Sequence, residues 1–234
     1  MKKLLKQSAL CLVTASAFAS TAALSGYEPL TSGALQEVME ECNPDNLPGV
    51  TECKVNGIPG LTGYSLIAAR VSTIIKNDVT VGALFDSVWR KGSGANADYI
   101  FGAKVLVNSE QWDASGLPFN INDIMRRTLP NKAVSVGYYD GLPSVPKKLL
   151  EAGRTCQGLN EADEIEGPAR DNSWVDLRVD VNAADPDGVS SPLSPWLFVK
   201  TKAPQGIELA PFAFRIVNSD FEDPSEAVDL FTAG

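Results

Sequence analysis

The stretch Trp174-Val175-Asp176-Leu177-Arg178-Val179-Asp180-Val181, WVDLRVDV, alternates along its whole length. Val175, Leu177, Val179 and Val181 point one way; Trp174, Asp176, Arg178 and Asp180 point the other. Successive side chains of a strand leave on opposite sides of the sheet. An apolar set and a polar set at period two therefore mark a strand with one face on a core and one in water. Sheets wetted on one side are characteristically antiparallel, whereas parallel sheets are covered on both faces. This segment sets the expectation for the fold.

Outward from it, 79–90, 99–108, 133–139, 196–201 and 212–218 are also rich in β-branched and aromatic residues, with turn residues between them. Strands do not alternate with helical patterns, which argues against a doubly wound sheet. The expectation over 78–218 is a mainly β domain, an antiparallel β-sandwich or jelly-roll-like arrangement. Lys91-Gly92-Ser93-Gly94-Ala95-Asn96 falls between two strands and reads as a hairpin loop, not a phosphate cradle. Two short helices are expected inside this domain. One lies near 122–129 and stops before Pro130; the other starts at Ser144 or Val145 and ends near Gly153.

The region before it, 20–77, reads as a helical N-terminal segment. Ser32 suits the cap of a helix in which Leu35, Val38, Met39 and Cys42 recur on one face. A second helix is expected over 65–76, with Ile67, Val71, Ile74 and Ile75 apolar and Asn77 ending it. A loop rich in Pro, Gly and Asn connects them and carries Cys53. Cys42, Cys53 and Cys156 allow three pairings; the local choice, Cys42 with Cys53, is the expected one, and closing a loop of that size stabilises by about 2–3 kcal/mol. Cys156 is left over, either a buried small hydrophobe or a link to another molecule. The acidic 219–234 is expected to form a tail.

Residues 1–19 read as a secretory signal peptide: Lys2, Lys3 and Lys6, a short apolar run, then Ala17-Phe18-Ala19. The run is too short to span a bilayer, and no later stretch reaches spanning length. The expected location is secreted, periplasmic or on the surface of a bacterium, where disulfides persist. The formal net charge is −9, and removing the leader's three lysines leaves 17 basic against 29 acidic residues, or −12. Such a chain is repelled by nucleic acid and anionic lipid, and it has no basic patch to offset this.

There is no histidine among the 234 residues. That excludes a Ser-His-Asp triad, a Cys-His dyad and His-ligated metal sites built from these residues. Ser144-Val145-Pro146-Lys147 matches S-x-x-K, but the proline suits a helix start and the Lys-Thr-Gly partner is missing. Chemistry by paired carboxylates stays open, because the spacing of two acids is a three-dimensional quantity.

The loop after the opening strand, VDVNAADPDG at 179–188, carries Asp180, Asn182, Asp185 and Asp187. Oxygen ligands at this density suit calcium, although the spacing departs from the D-x-[DN]-x-[DN]-G pattern. Pro186-Asp187-Gly188 is equally a good turn. Trp174 and Trp196 flank the loop in sequence; exposed, they would stack on sugar rings, and buried, they would pack the core. The functional expectation is an exported, non-enzymatic binding or structural protein, with polysaccharide or a surface protein as ligand and calcium stiffening the loop. The alternative is a polysaccharide hydrolase or lyase that uses carboxylates in place of His. Self-association is a third prospect, which an exposed edge strand would support.

Overall fold

The computed structural model describes residues 26–30, 53–128, 132–141, 151–155, 171–184, 191–202, 209–218 and 228–233. Among them the chain is mainly β, with eleven strands in two antiparallel sheets. In chain order they are β1 (Glu28–Leu30), β2 (Ser65–Lys76), β3 (Val79–Lys91), β4 (Asp98–Val107), β5 (Ile121–Arg127), β6 (Val134–Tyr139), β7 (Glu151–Gly153), β8 (Trp174–Val181), β9 (Trp196–Lys202), β10 (Leu209–Asn218) and β11 (Val228–Ala233). The first sheet runs β1-β6-β9-β4-β3-β2 and the second β11-β10-β5-β8-β7.

All six strands expected from the sequence are present, and β8 has the bounds its alternation predicts. The two sheets share one hydrophobic cluster. Leu84, Val105, Val136 and Val199 enter it from the first sheet; Ile121, Ile124, Val175, Leu177, Phe214 and Ile216 enter it from the second. Burying each such side chain is worth about 1.5–3 kcal/mol relative to leaving it in water.

The expected helices inside the described residues are strands. Residues 65–76 form β2, paired with β3 from Ser65↔Arg90 to Lys76↔Val79. Val71, Thr73, Ile74 and Ile75 are β-branched and stiff at χ1, which favours a strand. Asn77 does not end a helix. Asn77 and Asp78 both take positive φ, 50° and 64°, the geometry of a two-residue hairpin turn whose twist matches its strands. The helix expected near 122–129 is β5. Its Ile121 and Ile124 are both buried, three apart, because the pairing with β8 shifts register between Ile121 and Asp123. An irregularity of that kind mimics helical spacing. The end of the third expected helix is β7, and its start, at Ser144 or Val145, lies outside the described residues. The first expected helix, with Cys42, also lies outside them, as do residues 1–25 and most of the acidic tail.

One charged side chain from each sheet enters the interior. Asp86 lies on the same face of β3 as Leu84 and Val88, and Arg126 on the same face of β5 as Ile124. Arg126 donates to the Asp86 carboxylate over 2.6 Å, with both side chains almost wholly buried. Phe101 and Phe214 lie 5.5 and 5.4 Å from the guanidinium. A guanidinium tolerates this position because its weakly hydrated plane stacks on rings while it pairs with a carboxylate.

Candidate binding surfaces

On the outer face of the first sheet, Val55, Trp89, Ile100 and Phe198 are buried beneath Tyr27, Ile58, Tyr64, Tyr139 and Trp196. Gly102 makes room for this layer. A Cβ there would sit 2.6 Å from Trp89 Cζ3 and 3.0 Å from the Phe198 ring. Trp196 stacks parallel to Phe198, centroids 6.3 Å apart, and meets Trp89 edge-on at 5.8 Å. Lys200 stands over Tyr27 and Lys91 over Tyr64. Burial first, and then Tyr64, push the Tyr27 hydroxyl above the usual tyrosine range. Trp196 is thus half-buried within a packed aromatic layer.

Trp174 sits on the other sheet. It is half-buried on the outer face of β8, with the Arg215 guanidinium 5.5 Å from its ring. The two tryptophans that flank the acidic loop in sequence therefore lie on outer faces of different sheets and do not form one platform.

The polar face of β8 departs from its expectation. Asp180 is exposed, but Asp176 is fully buried, as is Asp123 on β5. Met125 lies opposite Asp176 on one side and Gly153 on the other. Burial raises the Asp176 pKa well above the usual carboxylate value, and the Asp123 charge raises it further; the Leu177 amide and Arg178 oppose them more weakly. The buried Asp123 carboxylate nearby thus favours the protonated form of Asp176. Sequence alternation placed Asp176 in water because period two shows which side a residue takes, not what covers that side.

At the acidic loop, Asn182 Oδ1 accepts the Ala184 N–H at 2.9 Å, the hydrogen bond of an Asx turn. The Asn182 N–H donates to the Ser191 carbonyl at 3.1 Å, and Val181 bridges Ser191. The backbone thus closes the base of the loop. Asp185 and Asp187 lie outside the described residues. Among the described residues no group of three or more Cys, Asp or Glu is placed to hold a metal ion, and no helix is long and apolar enough to cross a membrane.

Among the described strands, the β2 edge is the longest one left open. On the opposite edge of the same sheet, β1 pairs with β6, and Lys54 continues that protection by bridging Tyr138. Tyr138 N–H donates to the Cys53 carbonyl and Val55 N–H to the Tyr138 carbonyl, both at 2.8 Å. Cys53 itself is buried in the main cluster. β2 has twelve residues and ends its sheet, and most of them are exposed, above all on the outer face. Leu66, Val71 and Ile75 are 56%, 63% and 53% exposed. The register places Leu66 beside Trp89 and Val71 beside Phe85, on the outer face, while Ile74 turns into the core. The signal for this surface was the β-branched run on each side of Asn77-Asp78, which reads as a hairpin once the turn is recognised. No family model, curated protein or solved structure matches the chain.

Proposed function

We propose that the chain is an exported, non-enzymatic binding or structural protein of the bacterial surface or extracellular space, and that it binds through the open edge of its first sheet. The observation that carries this reading is β2, a twelve-residue edge strand with Leu66, Val71 and Ile75 in solvent. Proteins usually blunt such edges with short strands, charges or covering loops, because unpaired N–H and C=O groups invite another strand. Here the opposite edge is the three-residue β1, while β2 is four times as long and, among the described strands, pairs with β3 alone. Strand addition draws affinity from main-chain hydrogen bonds and specificity from alternate side chains.

Support for the non-enzymatic side comes from two places. The Asp123–Asp176 pair is fully buried instead of facing across a groove. The groove beside β6 and β9 is lined by Lys132, Lys200 and Lys202 with a single carboxylate, Asp98. On the fold, the reading is a β-sandwich, supported by the shared cluster and by the Arg126–Asp86 pair between sheets. An oxidising location is supported by Cys53, a half-cystine that we pair with Cys42.

The test is fractionation of the bacterium that makes the protein, with the wild-type chain and Val71→Lys followed separately. The reading expects wild type in the surface or matrix fraction and the variant released to the medium. Wild type in the cytosol would sink the exported assignment. Equal retention of both chains would remove β2 as the binding edge.

A further inference from the structure

We infer that the strand received by β2 is the β2 of a second copy, running antiparallel across a two-fold axis through Val71. This rests on the reading of β2 as the binding edge and names its partner. Length favours this partner. The other edges among the described strands are β1 and β7, three residues each, and β11, six. Any of these laid on the twelve residues of β2 would leave half or more of it open. Another β2 covers it fully, and a self-complementary patch closes as a dimer, whereas unlike edges would propagate a filament.

Face and register also match. A two-fold normal to the sheet keeps the outer face of one copy beside the outer face of the other. With Val71 opposite Val71 of the second copy, Ala69 faces Thr73 and Ile75 faces the Leu66-Ile67 bulge. The exposed apolar residues of β2 then cover one another. The same register keeps cations apart: Arg70 faces Ser72 and, past the bulge, Lys76 faces Ser65. Within its own chain Arg70 lies opposite Asp86. Like charges directly opposite would destabilise such a pair, and none are. Hydrogen bonding is sufficient as well. About eleven facing residue pairs supply roughly one ladder bond each, close to the ten or so direct hydrogen bonds of an ordinary protein interface.

The test uses the leaderless chain with its native cysteines. Sedimentation is expected to show a concentration-dependent dimer, weakened at least about tenfold by Val71→Lys and restored when that variant is mixed with Val71→Glu. Under mild oxidation Val71→Cys should form a covalent dimer, because facing Cα atoms lie within about 4.5–5.5 Å. Ala69→Cys should stay at the wild-type level, its two thiols being about four residue steps, or roughly 13 Å, apart along the strands. A wild-type monomer at its highest soluble concentration would overturn the pairing, as would a dimer indifferent to Val71→Lys, or equal crosslinking by the two cysteine variants. A monomer whose surface retention is still lost in Val71→Lys would overturn only the self-pairing, leaving a different strand on the same edge. A monomer whose retention is unchanged would overturn both readings.

Discussion

β2 and β8 invert each other. β8 is a polar-faced strand whose carboxyl Asp176 is fully buried, while β2 presents Val71 and Ile75 to solvent at 63% and 53%. The difference lies in position. β8 has neighbours on both sides, β5 and β7, while β2 ends its sheet with β3 on one side alone. An interior strand must accommodate whatever its outward side chains are, by pairing them or by keeping them protonated. An edge strand can leave apolar side chains in water at the cost of inviting a partner. Residue type is thus a weaker guide to burial here than place in the sheet.

The largest effect should come from the interior ion pair. Arg126→Met leaves the Asp86 carboxylate in the core without its guanidinium, and we expect a loss of about 3–5 kcal/mol in denaturant unfolding. The double variant Arg126→Met, Asp86→Leu should recover most of it, since two apolar groups of similar volume need no compensation. A single variant as stable as wild type would show that Asp86 is solvated after all. Next comes the layer above β4. Gly102→Ala drives a methyl into Trp89 and Phe198, for an expected cost of about 1–3 kcal/mol. Unchanged stability there would mean that the aromatic layer yields freely.

Asp176 offers a smaller effect of opposite sign. Its folded pKa is raised, so below the unfolded value near 4 both states hold the proton and the group is neutral to stability. As pH rises above that value the unfolded chain releases the proton and the folded chain keeps it, so stability falls until the folded pKa is passed. Asp176→Asn removes this slope and supplies an N–H to Asp123. It should raise the unfolding midpoint at pH 7, with the gain shrinking toward pH 4. A variant destabilised equally at every pH would show that the carboxyl is held ionised.

These outcomes bear on what the sequence could reveal. Period two is a local property, so β8 and five other strands were legible from their own residues. β2 and β5 were not, because register shifts beside Leu66, Ile74 and Ile121 insert the spacings of three and four that helices use. The turn at Asn77-Asp78 was the available correction, since two residues at positive φ suit a hairpin. Trp174 and Trp196 are close in sequence around the acidic loop, yet β8 and β9 belong to different sheets. The burial of Asp176 was illegible for a similar reason: what covers the outer side of a strand is set by chain far away in sequence. The open edge could not be read from β2 at all, because being last in a sheet is a property of the topology.

The smallest effect on folding should come from the site argued to matter most for assembly. Val71 is largely in water, beside Phe85, and contributes little to the interior of its own chain. Val71→Lys exchanges a β-branched residue for one of lower strand propensity at an exposed position, a change expected to stay within about 0.5 kcal/mol. Denaturant unfolding at the lowest usable protein concentration, where a dimer dissociates, should therefore give nearly the same midpoint for variant and wild type. At high concentration the wild type alone should gain stability, since a partner that binds only the folded state shifts unfolding by mass action. Equal midpoints at both concentrations would make β2 a bare edge without a mate. A large loss at low concentration would show that Val71 belongs to the core, and would erase the contrast with β8.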